Sequence, residues 1–194
     1  MADTVRRLRC GPGAGRLVIR TRREGFAARA GHDLTIEITR WFVDIDVPGD
    51  DRAGASIVAE IDLDSLAVRE GTGGAMPLTA EDRGKIETTA RQLIGGGSAR
   101  FESTGIAPTG DGATIDGTLT MRGTGRPVRL AVQTLDGDRY RATAVVRQSA
   151  YGIRPYSAFL GALKLRDEIA VEVEVDLTRA TARAAGSDPT AGPA

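Results

Sequence analysis

The chain is poor in the residue types that carry most protein chemistry. It has one cysteine, Cys10, and one histidine, His32, among 194 residues. A lone cysteine forms no intrachain disulfide, which points to a reducing compartment, the cytoplasm. One cysteine and one histidine also cannot supply a structural zinc tetrad, so no metal site is expected, and no cofactor is assigned. Aromatic residues make up 4% of the chain, and lysine plus arginine equal aspartate plus glutamate at 26 each. With no global field to attract phosphates and few rings to stack on, nucleic acid is not an expected partner. No stretch approaches the roughly 18 apolar residues of a transmembrane helix. Arg6 and Arg7 raise the question of a twin-arginine export signal, but Leu8 is followed by Arg9, Cys10, Gly11, Pro12 and Gly13 where the apolar run of such a signal belongs. No export signal is expected.

What the chain does have is period-two alternation between glycine and proline punctuation. Ile169, Val171, Val173, Val175 and Leu177 fall on one side, and Glu168, Ala170, Glu172, Glu174 and Asp176 on the other. Similar runs cover about 16–22, 34–39, 57–63, 99–103, 113–122, 127–135 and 140–147. From Trp41 the phase flips, because Trp41, Val43, Ile45 and Val47 are odd where Leu34, Ile36 and Ile38 are even, so a bend or bulge belongs near Arg40. Asp136-Gly137 marks a hairpin. Residues 80–94 carry helical spacing in Ile86, Ala90, Leu93 and Ile94, with Thr79 as N-cap and Gly95 to Gly97 as the stop. The expected architecture is mainly β, an antiparallel barrel or sandwich of about eight strands with one amphipathic helix. Residues 1–14 are expected to form a flexible N-terminal arm, 15–179 the domain, and 180–194 a disordered tail.

Candidate chemistry is sparse. His32 and Asp33 are sequence neighbours on a strand, so their side chains point to opposite faces and form no dyad. The simpler role for His32 is a hydrogen-bonded histidine at a strand start. Cys10 lies in the expected arm, where no base or oxyanion hole can be held beside it. The aspartate pairs lack the spacing and terminal glutamate of an EF-hand. The glycines near Gly71 are not followed by the lysine of a phosphate loop. No catalytic residue is assigned.

A binding cavity survives this elimination. A closed sheet of about eight strands has an interior able to hold one small ligand. The large side chains available for its wall and mouth are Phe26, Phe42, Phe101, Met121, Tyr151, Tyr156 and Phe159, with His32, Leu34 and Val171 as further ligand-facing candidates. The alternative is that these side chains fill a solid core and that the protein is an interaction or stress-related module acting through its surface.

The run from Gly117 to Gly123, followed by Arg126-Pro127-Val128-Arg129-Leu130, resembles the corresponding segment of the YceI-like family. So do Tyr151-Gly152-Ile153, Arg100 to Thr104, Asp167-Glu168-Ile169, Ala30 to Leu34 and Asp64 to Val68. The resemblance spans about Gly15 to Leu177. It implies a lipocalin-like antiparallel β-barrel that binds a long-chain isoprenoid or a similar amphipathic lipid and has no enzyme activity. The sequence leaves a homodimer open.

Overall fold

The computed structural model describes residues 5–49 and 51–183. In chain order the strands are β1 (Val5–Cys10), β2 (Gly15–Thr21), the short β3 (Arg23–Glu24), β4 (Asp33–Ile38), β5 (Trp41–Pro48), β6 (Ser56–Asp62) and β7 (Leu66–Thr72). The helix α1 (Ala80–Ile94) follows, then β8 (Ser98–Thr109), β9 (Gly112–Met121), β10 (Thr124–Thr134) and β11 (Arg139–Arg147). Two short strands, β12 (Ser157–Ala158) and β13 (Leu163–Leu165), precede β14 (Glu168–Asp176) and β15 (Thr181–Ala182).

The fold is mainly β. A 12-stranded antiparallel sheet runs in the order β15-β1-β5-β6-β8-β9-β10-β11-β14-β2-β4-β7 and curls into an incompletely closed barrel. The count exceeds the expected number of about eight because β1, β7 and β15 add to the nine alternating runs. A second sheet of three strands, β12-β13-β3, sits among the loops at one end.

Three bends curl the sheet. β1 and β6 pair with β5, whereas β2 and β7 pair with β4, so β1–β2, β4–β5 and β6–β7 act as three long strands that cross from one end of the sheet to the other. They bend at residues 11–14, at Thr39 and Arg40, and at Leu63–Ser65. Strands that change direction in this way form the corners of a barrel. Ser65 pins two of the bends together: its Oγ accepts from the Arg40 amide at 2.9 Å and donates to the Asp62 carbonyl at 2.6 Å. Trp41 fills the corner and is buried there with Leu17, Ile38 and Leu66.

The helix closes an edge. Thr79 and Asp82 form a reciprocal capping box at its start, and Gly95 takes the left-handed conformation (φ 82°) that ends it. Along the outer edge of β7, the Val68 amide donates to Glu87 of α1 at 2.8 Å, and the Arg91 guanidinium donates to the Leu66 carbonyl at 2.8 Å. Helix side chains thus take the place of a neighbouring strand.

The outer face of the sheet is polar and internally neutralised. Arg9 stands directly opposite Asp44, Arg129 opposite Asp116, Arg141 opposite Glu174 and Arg147 opposite Glu168, each within ion-pair distance. Strand register therefore neutralises these arginines locally, pair by pair.

Two boundary expectations are corrected. The part of residues 1–14 that is described is not a flexible arm, because Val5–Cys10 is a paired strand. Leu8 and Cys10 turn inward and are buried, while Arg7 and Arg9 meet Asp46 and Asp44 on the outer face. Burial pushes the Cys10 thiol above its ordinary pKa, with the charge of Asp176 adding to the effect. The expected tail at 180–194 begins instead as β15 on the edge of β1, and Arg183 bonds Asp44 at 2.7 Å. Residues 1–4 and 184–194 lie outside the described residues.

Candidate functional site

Inside the barrel lies a cavity of about 1100 Å³. That volume lies just above the usual range for small-molecule sites, about 300–1000 Å³. Its wall is built by alternation. Val171 and Val173 on β14 face the interior beside their neighbours Ala144 and Ala142 on β11, with Ile19 and Leu17 on β2 beyond them. β8 contributes Phe101 and Ile106, β9 Ile115 and Met121, and β10 Val128 and Leu130. Ile86, Ala90 and Ile94 of α1 complete the wall beside β7.

These inward side chains are not packed to exclusion. Val171, Val173 and Val175 are only half-buried although they point into the barrel, and so are Val128, Leu130 and Val132. No residue of α1 is fully buried either. In a solid core the same positions would be closed off by their neighbours. Small side chains at Ala142, Ala144, Ala59 and Ala113 leave room opposite the larger ones.

Polar groups are few within the wall and gather at its two ends. Thr21, in phase with Leu17 and Ile19, is buried in the wall, and its hydroxyl has no hydrogen-bond partner among the described residues. It is a polar contact available to a bound molecule. One end of the lining carries Arg52, Asp111 and Asp138 from hairpin loops, and the other carries Arg23, His32 and Tyr156. The Arg23 guanidinium is held there by the carbonyls of Gly31 and Thr72, at 3.3 and 2.6 Å. His32 Nε2 donates to the Met76 carbonyl at 2.7 Å, which fixes the ring at the entry to β4.

Of the ten residues expected to face a ligand, His32, Leu34, Phe101, Met121, Tyr156 and Val171 line the cavity. The other four do not and are corrected. Phe42 shares its phase with Asp44 and Asp46, so it lies on the outer face beneath the Arg9 guanidinium, 4.2 Å from the ring centre. Tyr151 is not in the lining, although it is buried with Leu63, Val146 and Ile153, which are. Phe26 and Phe159 sit on loops outside the barrel, 95% and 67% exposed. Thr21 and the inner face of α1 were not among the expected contacts, although the alternation through Leu17 and Ile19 and the helical spacing of Ile86 and Ala90 signal both.

No helix of the described residues is long and apolar enough to cross a membrane. Nor does any group of three or more His, Cys, Asp or Glu side chains among them come together as a metal site.

These features define a hollow, aliphatic-lined antiparallel barrel with a helix in its wall. Residues 23–177 match the family model of the YceI-like domain, and the chain belongs to that family. Its fold is similar to that of BcnA from Burkholderia cenocepacia, with a TM-score of 0.57 at 14% identity over 83% of this chain and 94% of that one. It is also similar to the YCEI protein of Campylobacter jejuni, with a TM-score of 0.51 at 11% identity over 77% of this chain and 84% of that one. At these identities the likeness is one of fold. Comparison with curated proteins gives no match.

Proposed function

We propose that the protein is a non-enzymatic carrier that holds a hydrophobic or amphipathic small molecule, a polyisoprenoid or another long-chain lipid, inside the barrel. One observation carries this reading: aliphatic side chains that point inward remain half-exposed around a cavity of about 1100 Å³. Burying an alkyl chain there is favourable by about 0.8 kcal/mol per methylene, so binding needs no catalytic group. The Thr21 hydroxyl and the polar groups at the two ends suit a ligand with a polar head or ring substituent. Family membership supports the same reading, and the unfilled interior weighs against a solid-core module. The lone cysteine fits a cytoplasmic setting.

The test is mass spectrometry of an organic extract of the protein purified from its native source, paired with titration of a fluorescent long-chain alcohol. A co-purifying long-chain molecule that the probe displaces supports the reading. An empty extract together with no probe binding overturns it.

A further inference from the structure

Large hydrophobic side chains that remain exposed are concentrated at one end of the barrel. Phe26, Met76, Tyr156, Phe159 and Leu160 are five of six such residues among those described, with Val145 on the outer wall as the sixth. They sit on three loops that are tied together. The Ala27 amide donates to the Ala162 carbonyl at 3.0 Å, the Ala75 amide donates to Arg29 at 3.0 Å, and His32 holds the Met76 carbonyl. Tyr156, His32 and Leu163 on these loops also line the cavity, so the exposed cluster rims one of its mouths.

Charge is distributed with the same asymmetry. Between residues 22 and 33 the chain carries Arg22, Arg23 and Arg29 against Glu24 and Asp33, whose carboxylate accepts from the Arg23 amide at 2.8 Å, and the loop with Met76 leads into Glu81 and Asp82 at the start of α1. The β9–β10 hairpin adds Arg122 and Arg126, and residues 148–167 add Arg154, Lys164 and Arg166 against Asp167. Among the described residues only Arg166 of these eight cations lies within ion-pair distance of a carboxylate, that of Glu24 at 3.8 Å. Arg122, Arg126 and Arg23 instead donate to neutral backbone carbonyls, so no side-chain carboxylate pairs with their guanidinium groups among the described residues. On the barrel wall, by contrast, arginine after arginine is matched to a carboxylate. The far mouth carries Asp111 and Asp138 with Arg52.

The backbone at the tip is strained where apolar groups are exposed. Phe159 and Leu160 have φ of 50° and 55°, a region that bulky L-residues rarely adopt, ahead of Gly161 at 90°. The two side chains stand out from the mouth, with Lys164 against the turn from behind.

We propose that this basic, apolar-rimmed mouth docks on an anionic lipid bilayer, with Phe159, Leu160 and Phe26 entering the interface and the unpaired arginines and Lys164 against the headgroups. Docking of this kind combines buried apolar area with electrostatic attraction. It places the open end of the cavity against the membrane, where a long-chain ligand passes between bilayer and barrel without crossing bulk water. The exchange step rests on the carrier reading above, and the docking does not.

The experiment is flotation of the full chain with phosphatidylglycerol vesicles and with phosphatidylcholine vesicles, at low and high salt, with titration of a fluorescent long-chain alcohol in vesicle-free solution alongside. Flotation on phosphatidylglycerol that weakens on phosphatidylcholine and in high salt is the expected result. Leu160→Asn removes the apolar side chain and supplies a residue that tolerates positive φ, so it is expected to lower vesicle affinity roughly tenfold while the fold is retained. Arg154→Glu with Lys164→Glu is expected to abolish the preference for the anionic vesicles. Equal flotation on both lipids, no flotation, or unaltered flotation of both variants overturns the proposal. If the soluble probe still binds in those cases, the carrier reading stands; if the protein floats but binds no probe and its organic extract is empty, docking stands and the carrier reading falls.

Discussion

Arg9 grips both carboxylate oxygens of Asp44, at 2.6 and 2.7 Å, across the β1–β5 pair. Asp44 is 5% exposed and also receives the Arg183 guanidinium from beyond β15, so one carboxylate ties both ends of the described chain to the sheet. Burial alone would raise its pKa, but the hydrogen bonds and charges of Arg9 and Arg183 outweigh burial and hold it below the usual carboxylate range. A depressed folded pKa adds stability that is complete above the unfolded value near 3.9 and is lost as pH falls through the lower folded value. Asp44→Asn is expected to cost about 2 kcal/mol at neutral pH, and to flatten the acid limb of stability, as measured by urea unfolding across pH.

Filling the interior should trade capacity for stability. Ala142→Phe places a ring in the cavity between β10 and β14, where open volume receives it. The expected outcome is probe affinity reduced about tenfold or more, with unfolding temperature unchanged or raised. A variant that binds the probe as well as the parent would show that the ligand lies elsewhere.

The β7 edge supplies a third prediction. Glu87→Ala leaves the Val68 amide without its side-chain acceptor, and hydrogen exchange at Val68 should accelerate by about tenfold, while amides in the β9–β10 hairpin keep their rates. Glu87→Gln, which retains an acceptor oxygen, should fall between the two.

Ser65→Ala tests the corner. Removing an Oγ that both accepts from Arg40 and donates to Asp62 leaves two backbone groups unmatched in a buried bend, and should cost about 2 kcal/mol in urea unfolding without changing the denaturant slope.

Where side chains alternate, the sequence was informative, because a period of two leaves little freedom in direction. Ile169, Val171, Val173 and Val175 line the cavity as their phase requires, and α1 runs over Ala80–Ile94 as its spacing and caps dictate. Phe42 shows that phase outranks size: two even-numbered aspartates follow it, and it faces outward with them. The N-terminal strand was hidden by its arginines, whose carboxylate partners lie more than 30 residues away on β5. Leu66–Thr72 was obscured by its closing glycine and by the bend before it. Phe26 and Phe159 lie in loops, where no period states a direction. The axial separation of charge was also invisible in a balanced total, since it arises only when distant loops gather at one mouth.

The substitution of a helix for a strand beside β7 has a further consequence. A sheet wall opens only by breaking a ladder of backbone bonds, whereas α1 is joined to the β7 edge through the side chains of Glu87 and Arg91 and rests on half-buried aliphatics. Release of α1 would therefore break none of the rungs of the 12-stranded sheet. The contacts that hold α1 are thus of a different kind from the ladder that holds the barrel, side-chain bonds and apolar burial in place of backbone rungs.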